Sequence, residues 1–324
     1  MRPFRIYLVL SPVRTQFVIS MLSVPDAHKN YLVSYAYGNE MFDFLNKHCI
    51  HLFGEMNLIL DSGAYTAWKS GREIRVEDYI SFYEVRVKSC KFRELYVVNL
   101  DKIPARPGVR EVNDIRMQEA ATTSAANAKK LRGAGISDVI EVFHQGEKID
   151  PYLYKMIASQ GEPYIGVSPA NDAYPTSRLR WLDSVFSEIG KRYGPDRVRT
   201  HGFGVTAYSL IAPFPWTSVD SASFAILAGY GTVTVFDDSL DPPKFHRFYL
   251  GSKPSAVTQR QLLTQSWDRF KPFMPPSFSS IEELSSSSAR TIFNAYAYQR
   301  CESHINKIRK SQELPRLRQK YLEV

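Results

Sequence analysis

The chain has 324 residues, 44% of them hydrophobic and 23% charged, which is ordinary for a globular protein and too apolar for a disordered one. No run of about 18 apolar residues occurs, and Ile6–Leu10 is too short for a signal peptide or a span, so a cytoplasmic protein with no membrane partner is expected. The net charge of +8 invites an anionic partner, and three scattered cysteines (Cys49, Cys90, Cys301) exclude a disulfide framework.

Short apolar runs alternate with helix-like segments along the chain. Ile6–Leu10 predicts a strand followed by a helix over Thr15–Leu22, and Tyr31–Tyr35 one followed by Met41–Phe53. Asn57–Leu60 precedes a loop and the helix Val76–Cys90. Leu95–Leu100 precedes Val112–Arg132, Asp138–Phe143 precedes Asp150–Ser159, and Pro163–Val167 precedes Ser177–Arg192. Thr200–Val205 leads into a short connection, and Thr217–Val219 into Ser221–Ala228. Such alternation argues for a parallel sheet covered by helices, and eight strands argue for closure into a (β/α)8 TIM barrel. A doubly wound open sheet is the alternative, and Thr232–Phe236 is a ninth candidate strand. Proline- and glycine-rich breaks near residues 241–254 place the barrel in residues 1–250 and a helical C-terminal extension in 251–324. The extension carries 12 Lys and Arg against six Asp and Glu. Its helix Ala289–Lys310 and the residues after it offer Arg300, Lys307, Arg309, Lys310, Arg316, Arg318 and Lys320 as a polyanion-facing set.

The residues at the ends of the strands carry the chemistry. The run Leu58-Ile59-Leu60 stops at Asp61-Ser62-Gly63-Ala64-Tyr65, where small residues let the backbone turn and another molecule approach. Other strand ends supply Ser34 and Tyr35, Asp101, His144 with Gln145, Ser168, Gly204 with Thr206, and Asp220. A barrel gathers such residues on one catalytic rim. For each aspartate the alternative role is a helix cap or a surface ion pair. Together, Asp61, Asp101 and Asp220 suit cleavage of a glycosidic bond, with one carboxylate attacking the anomeric carbon and another protonating the departing group. Neither His48-Cys49-Ile50-His51 nor Cys301-Glu302-Ser303-His304 supplies four ligands at zinc-finger spacing, and no nucleotide-binding glycine motif appears. Neither a metal nor a cofactor is expected.

This ordered set resembles the tRNA-guanine transglycosylase family, and more closely its DNA-acting relatives, the 7-deazaguanine DNA transglycosylases of phages and some bacteria. The resemblance runs from about residue 55 to 225. Asp61-Ser62-Gly63-Ala64-Tyr65 resembles the motif whose Asp is the general acid/base and whose aromatic lies against the base. Val98-Asn99-Leu100-Asp101 resembles the strand whose Asp reads the purine edge, and Phe143-His144-Gln145-Gly146 the segment whose Gln binds the same base. Tyr164-Ile165-Gly166-Val167 is similar to the strand whose glycine backbone touches it. Gly202-Phe203-Gly204-Val205-Thr206 is similar to the family's Gly-Val-Gly-Thr segment, with Phe203 as second stacking side chain. Asp220 falls where the nucleophile stands. The resemblance thus implies Asp220 and Asp61 as catalytic, and Ser62, Tyr65, Asp101, Gln145, Gly166, Phe203 and Gly204 as substrate-binding. The partners it implies are DNA, with tRNA the alternative, and a free 7-deazaguanine base. The cysteine cluster that binds zinc in the tRNA enzymes has no counterpart, since no cysteine lies between Cys90 and Cys301. A barrel hydrolase that releases the base without replacing it, and a non-catalytic nucleic-acid-binding barrel, are the readings from other classes. The sequence fixes no oligomeric state.

Overall fold

Barrel strands need apolar residues on both faces, one set for the lumen and one for the surrounding helices. The computed structural model describes residues 3–11, 29–104, 113–170, 173–194, 197–252, 254–311, 318–319 and 321. In it β1 (Arg5–Leu10), β2 (Asn30–Ser34), β3 (Asn57–Asp61), β4 (Glu94–Val98), β5 (Val139–His144), β6 (Tyr164–Ser168), β7 (Arg199–Gly202) and β8 (Ser218–Ser221) form a closed parallel barrel in chain order. Closure is direct: β1 pairs with β2 on one side, Val9 opposite Leu32, and with β8 on the other, Ile6 opposite Val219. That pairing excludes the open doubly wound sheet. The helix expected over Thr15–Leu22 lies outside the described residues.

The helices are α1 (Gly38–His48), α2 (Ala64–Ser70), α3 (Val76–Phe82), α4 (Asp114–Gly133), α5 (Tyr154–Ala158), α6 (Pro175–Tyr193), α7 (Tyr208–Ile211), α8 (Ser223–Gly229), α9 (Ser255–Gln265), α10 (Trp267–Phe270) and α11 (Ser287–Lys310). None of the described helices is long and apolar enough to cross a membrane. Tyr7, Leu32, Ile59, Val98, Ile140, Val142 and Tyr164 fill the lumen. Their strand neighbours, such as Leu8, Leu58, Leu60 and Val219, belong to the larger core under the helices. The lumen floor is polar: Arg5 and Glu94 form a two-pronged ion pair, Arg199 donates to the Tyr96 hydroxyl at 3.1 Å, and that hydroxyl donates to Glu94.

The ninth candidate strand, β9 (Thr232–Asp237), lies outside the barrel and pairs antiparallel with β10 (Lys244–Tyr249). α11 packs on β9, α8 and β1. It runs antiparallel to β1. Glu302 accepts the N–H of Ile6 at 2.5 Å, and one turn further Asn306 accepts the N–H of Phe4 at 2.7 Å. Its C-terminal end therefore lies where the strands begin, opposite the rim where they end.

Candidate active site

The end of β3 turns through Gly63, whose φ is +75°, and a Cβ there would stand 3.2 Å from the Ala36 nitrogen. Only glycine suits that combination. The turn presents Asp61 to the lumen and its neighbour Ser62 away from it. Asp61 Oδ2 accepts the Gly63 N–H at 3.1 Å. The helix cap that was the alternative role for Asp61 falls to Gly63 itself, with no side-chain cap bond. Burial pushes the Asp61 carboxyl from 3.8 up to about 6. The Ser34 hydroxyl and the Gly63 N–H pull it back, while the charges of Asp101 and Asp220 push it further up. The three strand-end carboxylates thus share one electrostatic environment. Ser62 is fully buried and accepts the Ala64 N–H, which corrects its expected place against a substrate. Tyr65 lies in the first turn of α2 and is 51% exposed, its ring 5.6 Å from that of Trp68.

Asp101 follows β4 in a loop tied to α4, since Asn99 donates to Ser124 O and Ser124 Oγ accepts the Lys102 N–H. Its Oδ2 lies 2.7 Å from His144 Nε2. Burial, the largest influence on His144, lowers its pKa, but the bond to Asp101 and the charges of Asp101 and Glu147 together raise it above the ordinary 6.5. Glu147 is buried, accepts the backbone N–H of His144 at 2.7 Å, and is itself raised by burial. Gln145, expected to read a base, is turned elsewhere. Its Oε1 accepts the Ala170 N–H at 3.0 Å and its Nε2 lies 3.3 Å from Ser177 Oγ, so it braces the loop after β6. His144 is the residue that faces Asp101.

Asp220 lies in β8 just before its last residue, 8% exposed, with Oδ1 accepting the Gly204 N–H at 2.9 Å. Gly204 has φ +64°, which aims that N–H at the carboxylate. Behind it the fully buried His201 brings Nε2 within 3.4 Å of the same oxygen. Phe203 lies across Gly166: a Cβ on Gly166 would stand 2.4 Å from the Phe203 ring. Gly166 is thus the space that the Phe203 ring occupies. His201 stands outside every motif that the resemblance rests on. Its signal was parity alone, since it lies an even number of residues from the lumen-facing Phe203, whereas His144 already stood among the strand-end residues.

No protein-family profile and no curated protein matches the chain. Among the solved structures similar to the chain are two mutant tryptophan synthase alpha-subunits from the hyperthermophile Pyrococcus furiosus. One has 12% identity, a TM-score of 0.37 and coverage of 71% of this chain and 91% of that one. The other has 10% identity, the same score and coverage of 70% and 89%. The barrel is established by its own strand order.

The basic C-terminal set is dispersed. Arg309 is buried and donates to Trp216 O at 2.6 Å and Phe214 O at 3.1 Å, which corrects its expected place against phosphate. Arg300 pairs with Asp238 at 2.6 Å and Arg318 with Asp183 at 2.8 Å, so their charges are already matched. Lys307 and Lys310 are exposed, but at the strand-start end of the barrel. Arg316 and Lys320 lie outside the described residues. Among the described residues no three His, Cys, Asp or Glu side chains are grouped to hold a metal ion.

Proposed function

We propose that the chain is a base-exchange transglycosylase that replaces guanine in DNA with a 7-deazaguanine through a covalent aspartyl-sugar intermediate. The observation that carries this reading is the unequal treatment of two carboxylates on one rim. Both accept a backbone N–H, but burial pushes Asp61 up to about 6, so that it can carry a proton, whereas the accepting oxygen of Asp220 also lies 3.4 Å from His201 Nε2. An acid poised near the working pH beside a carboxylate held by a donor is the division of labour that glycosyl transfer needs.

Asp220 attacks C1′ as the C1′–N9 bond breaks, and the departing guanine takes its electron pair and the proton of Asp61. The covalent link holds the sugar in place while one base leaves and another enters. The incoming base then gives a proton back to Asp61 and displaces Asp220. Asp101, oriented by His144, offers its remaining oxygen to the donor edge of the purine. Phe203 supports one face of the ring, a contact worth roughly 1–3 kcal/mol, and Tyr65 covers the other. A target in duplex DNA must be flipped out or presented single-stranded.

Mass spectrometry of nucleosides from the DNA and tRNA of cells expressing the protein, with and without a deazaguanine supply, tests the reading. The modified nucleoside should appear in DNA. Its appearance in tRNA alone would make tRNA the substrate, and release of free guanine with no added base would make the protein a hydrolase.

A further inference from the structure

The transglycosylase reading leaves unexplained why a polar chain is buried behind Asp220 in the lumen. The Tyr164 hydroxyl lies 2.6 Å from Ser218 Oγ, and Ser218 Oγ lies 2.6 Å from His201 Nδ1. The other ring nitrogen, Nε2, makes no hydrogen bond and faces Asp220 Oδ1 at 3.4 Å. All four side chains are buried. Such a buried polar chain, with one donor still unsatisfied, calls for an explanation.

The chain has a preferred direction. Burial raises the Tyr164 hydroxyl above its ordinary pKa, so it keeps its proton and can donate to Ser218. Ser218 has one proton, which then goes to His201 Nδ1. In this direction His201 Nδ1 is the acceptor, and the ring proton is on Nε2, the nitrogen that lies nearest Asp220. The reverse direction would put a bare nitrogen lone pair against a carboxylate oxygen, which is repulsive.

We infer that His201 is a positioning residue that holds Oδ1 of Asp220, and that Oδ2 is the oxygen which attacks. With the Gly204 N–H bonded to Oδ1 and His201 Nε2 within 3.4 Å of the same atom, Oδ2 is the oxygen left for the sugar. In the first half-reaction the Oδ2–C1′ bond forms as the C1′–N9 bond breaks, the base taking its electron pair and the Asp61 proton. Oδ1 then becomes the carbonyl oxygen of the ester. In the second half-reaction the Oδ2–C1′ pair returns to Asp220, and the His201 and Gly204 donors stabilise the charge that redevelops on the carboxylate. His201 serves both steps without exchanging a proton.

This inference rests on the proposed role of Asp220, and its test separates the two. Nitrogen NMR of the free protein, labelled on histidine, reads the His201 tautomer without any turnover and should show the proton on Nε2. A single-stranded guanine-containing oligodeoxynucleotide, offered without an incoming base, then reads covalent capture. His201→Leu should slow capture and exchange by about a hundredfold, the scale of a misplaced reacting group, with KM unchanged. His201→Gln, which keeps a donor near the Nε2 position, should restore most of the rate. Ser218→Ala should scramble the tautomer and slow capture in the same direction, which keeps the test open if the leucine variant does not fold. A wild-type protein that forms no adduct on Asp220 sinks the parent reading and this one with it. A wild-type adduct together with leucine and alanine variants that capture equally fast, or a His201 proton found on Nδ1, overturns this inference alone.

Discussion

His144 Nε2 lies 2.7 Å from Asp101 Oδ2, joining the end of β5 to the loop after β4. Asp101 and Glu147 both face this imidazole, and their charges overcome the burial that would lower its pKa. A histidine raised in the folded state binds its proton more tightly there than in the unfolded chain. Its contribution is therefore complete below the ordinary value of 6.5 and is lost as pH rises through the folded-state value. The wild-type protein should melt above Asp101→Asn at mildly acidic pH, and the gap should shrink in alkaline buffer. Melting curves with a gap that does not change with pH would show that the pair is not charged.

Asp61 shifts stability with pH in the same direction, for a different cause. Its carboxyl is raised from 3.8 to about 6, so the folded protein holds that proton more firmly than the unfolded chain does between those values. Stability is then lost as pH rises through 6, by on the order of 3 kcal/mol at full strength. Asp61→Asn should therefore resist urea better than wild type at pH 8 and about equally at pH 4. The same variant should exchange bases about a hundredfold more slowly. Equal urea midpoints at pH 8 would remove the strained-acid account of the site.

Asp220→Asn should form no covalent adduct with a guanine-containing strand and should keep the wild-type melting temperature within a few degrees. The amide retains the shape and loses the nucleophile. Adduct formation in this variant, located by peptide mass spectrometry, would move the nucleophile to another residue.

Gly166→Ala tests the Phe203 platform. The added methyl would stand 2.4 Å from the ring, so Phe203 must swing out of place. The expected cost is about 1–3 kcal/mol of stability together with a raised KM for the incoming base. Phe203→Ala in the same chain should recover the stability and leave the KM high. Failure to recover stability would mean that the clash lies elsewhere.

Strand order and the rim were legible because β3 spells its environment out. Leu58 and Leu60 face the helices, Ile59 faces the lumen, and the next residue in phase with Ile59 is Asp61. The errors were errors of phase and direction. Adjacent strand residues point to opposite sides, so Ser62 against Asp61, and Gln145 against His144, each turn on a single step that apolar counting does not resolve. His201 sits in Arg199–Gly202, a strand polar enough to conceal its inward face. Charge counting found the basic segment, but it could not show that α11 points its last turn at the strand-start end.

Arg309→Met should destabilise the protein by about 1–3 kcal/mol, because two buried carbonyls lose their donor. Replacing Lys307 and Lys310 with Gln should leave stability and the salt dependence of DNA binding unchanged. Each phosphate contact removed would flatten the slope of log affinity against log salt by about 0.9. A slope flattened by nearly two in the double variant would put nucleic acid at the far end of the barrel after all.

The bonds from Glu302 to Ile6 and from Asn306 to Phe4 span 296 and 302 positions of sequence. β1 also has β8 as a lateral partner. β1 therefore stays open on its second edge until β8 is in place, and uncovered until α11 docks. Contacts so distant in sequence carry a large loop-closure cost, so barrel closure should be a slow step of folding, and the β1 edge is open to wrong partners until it happens.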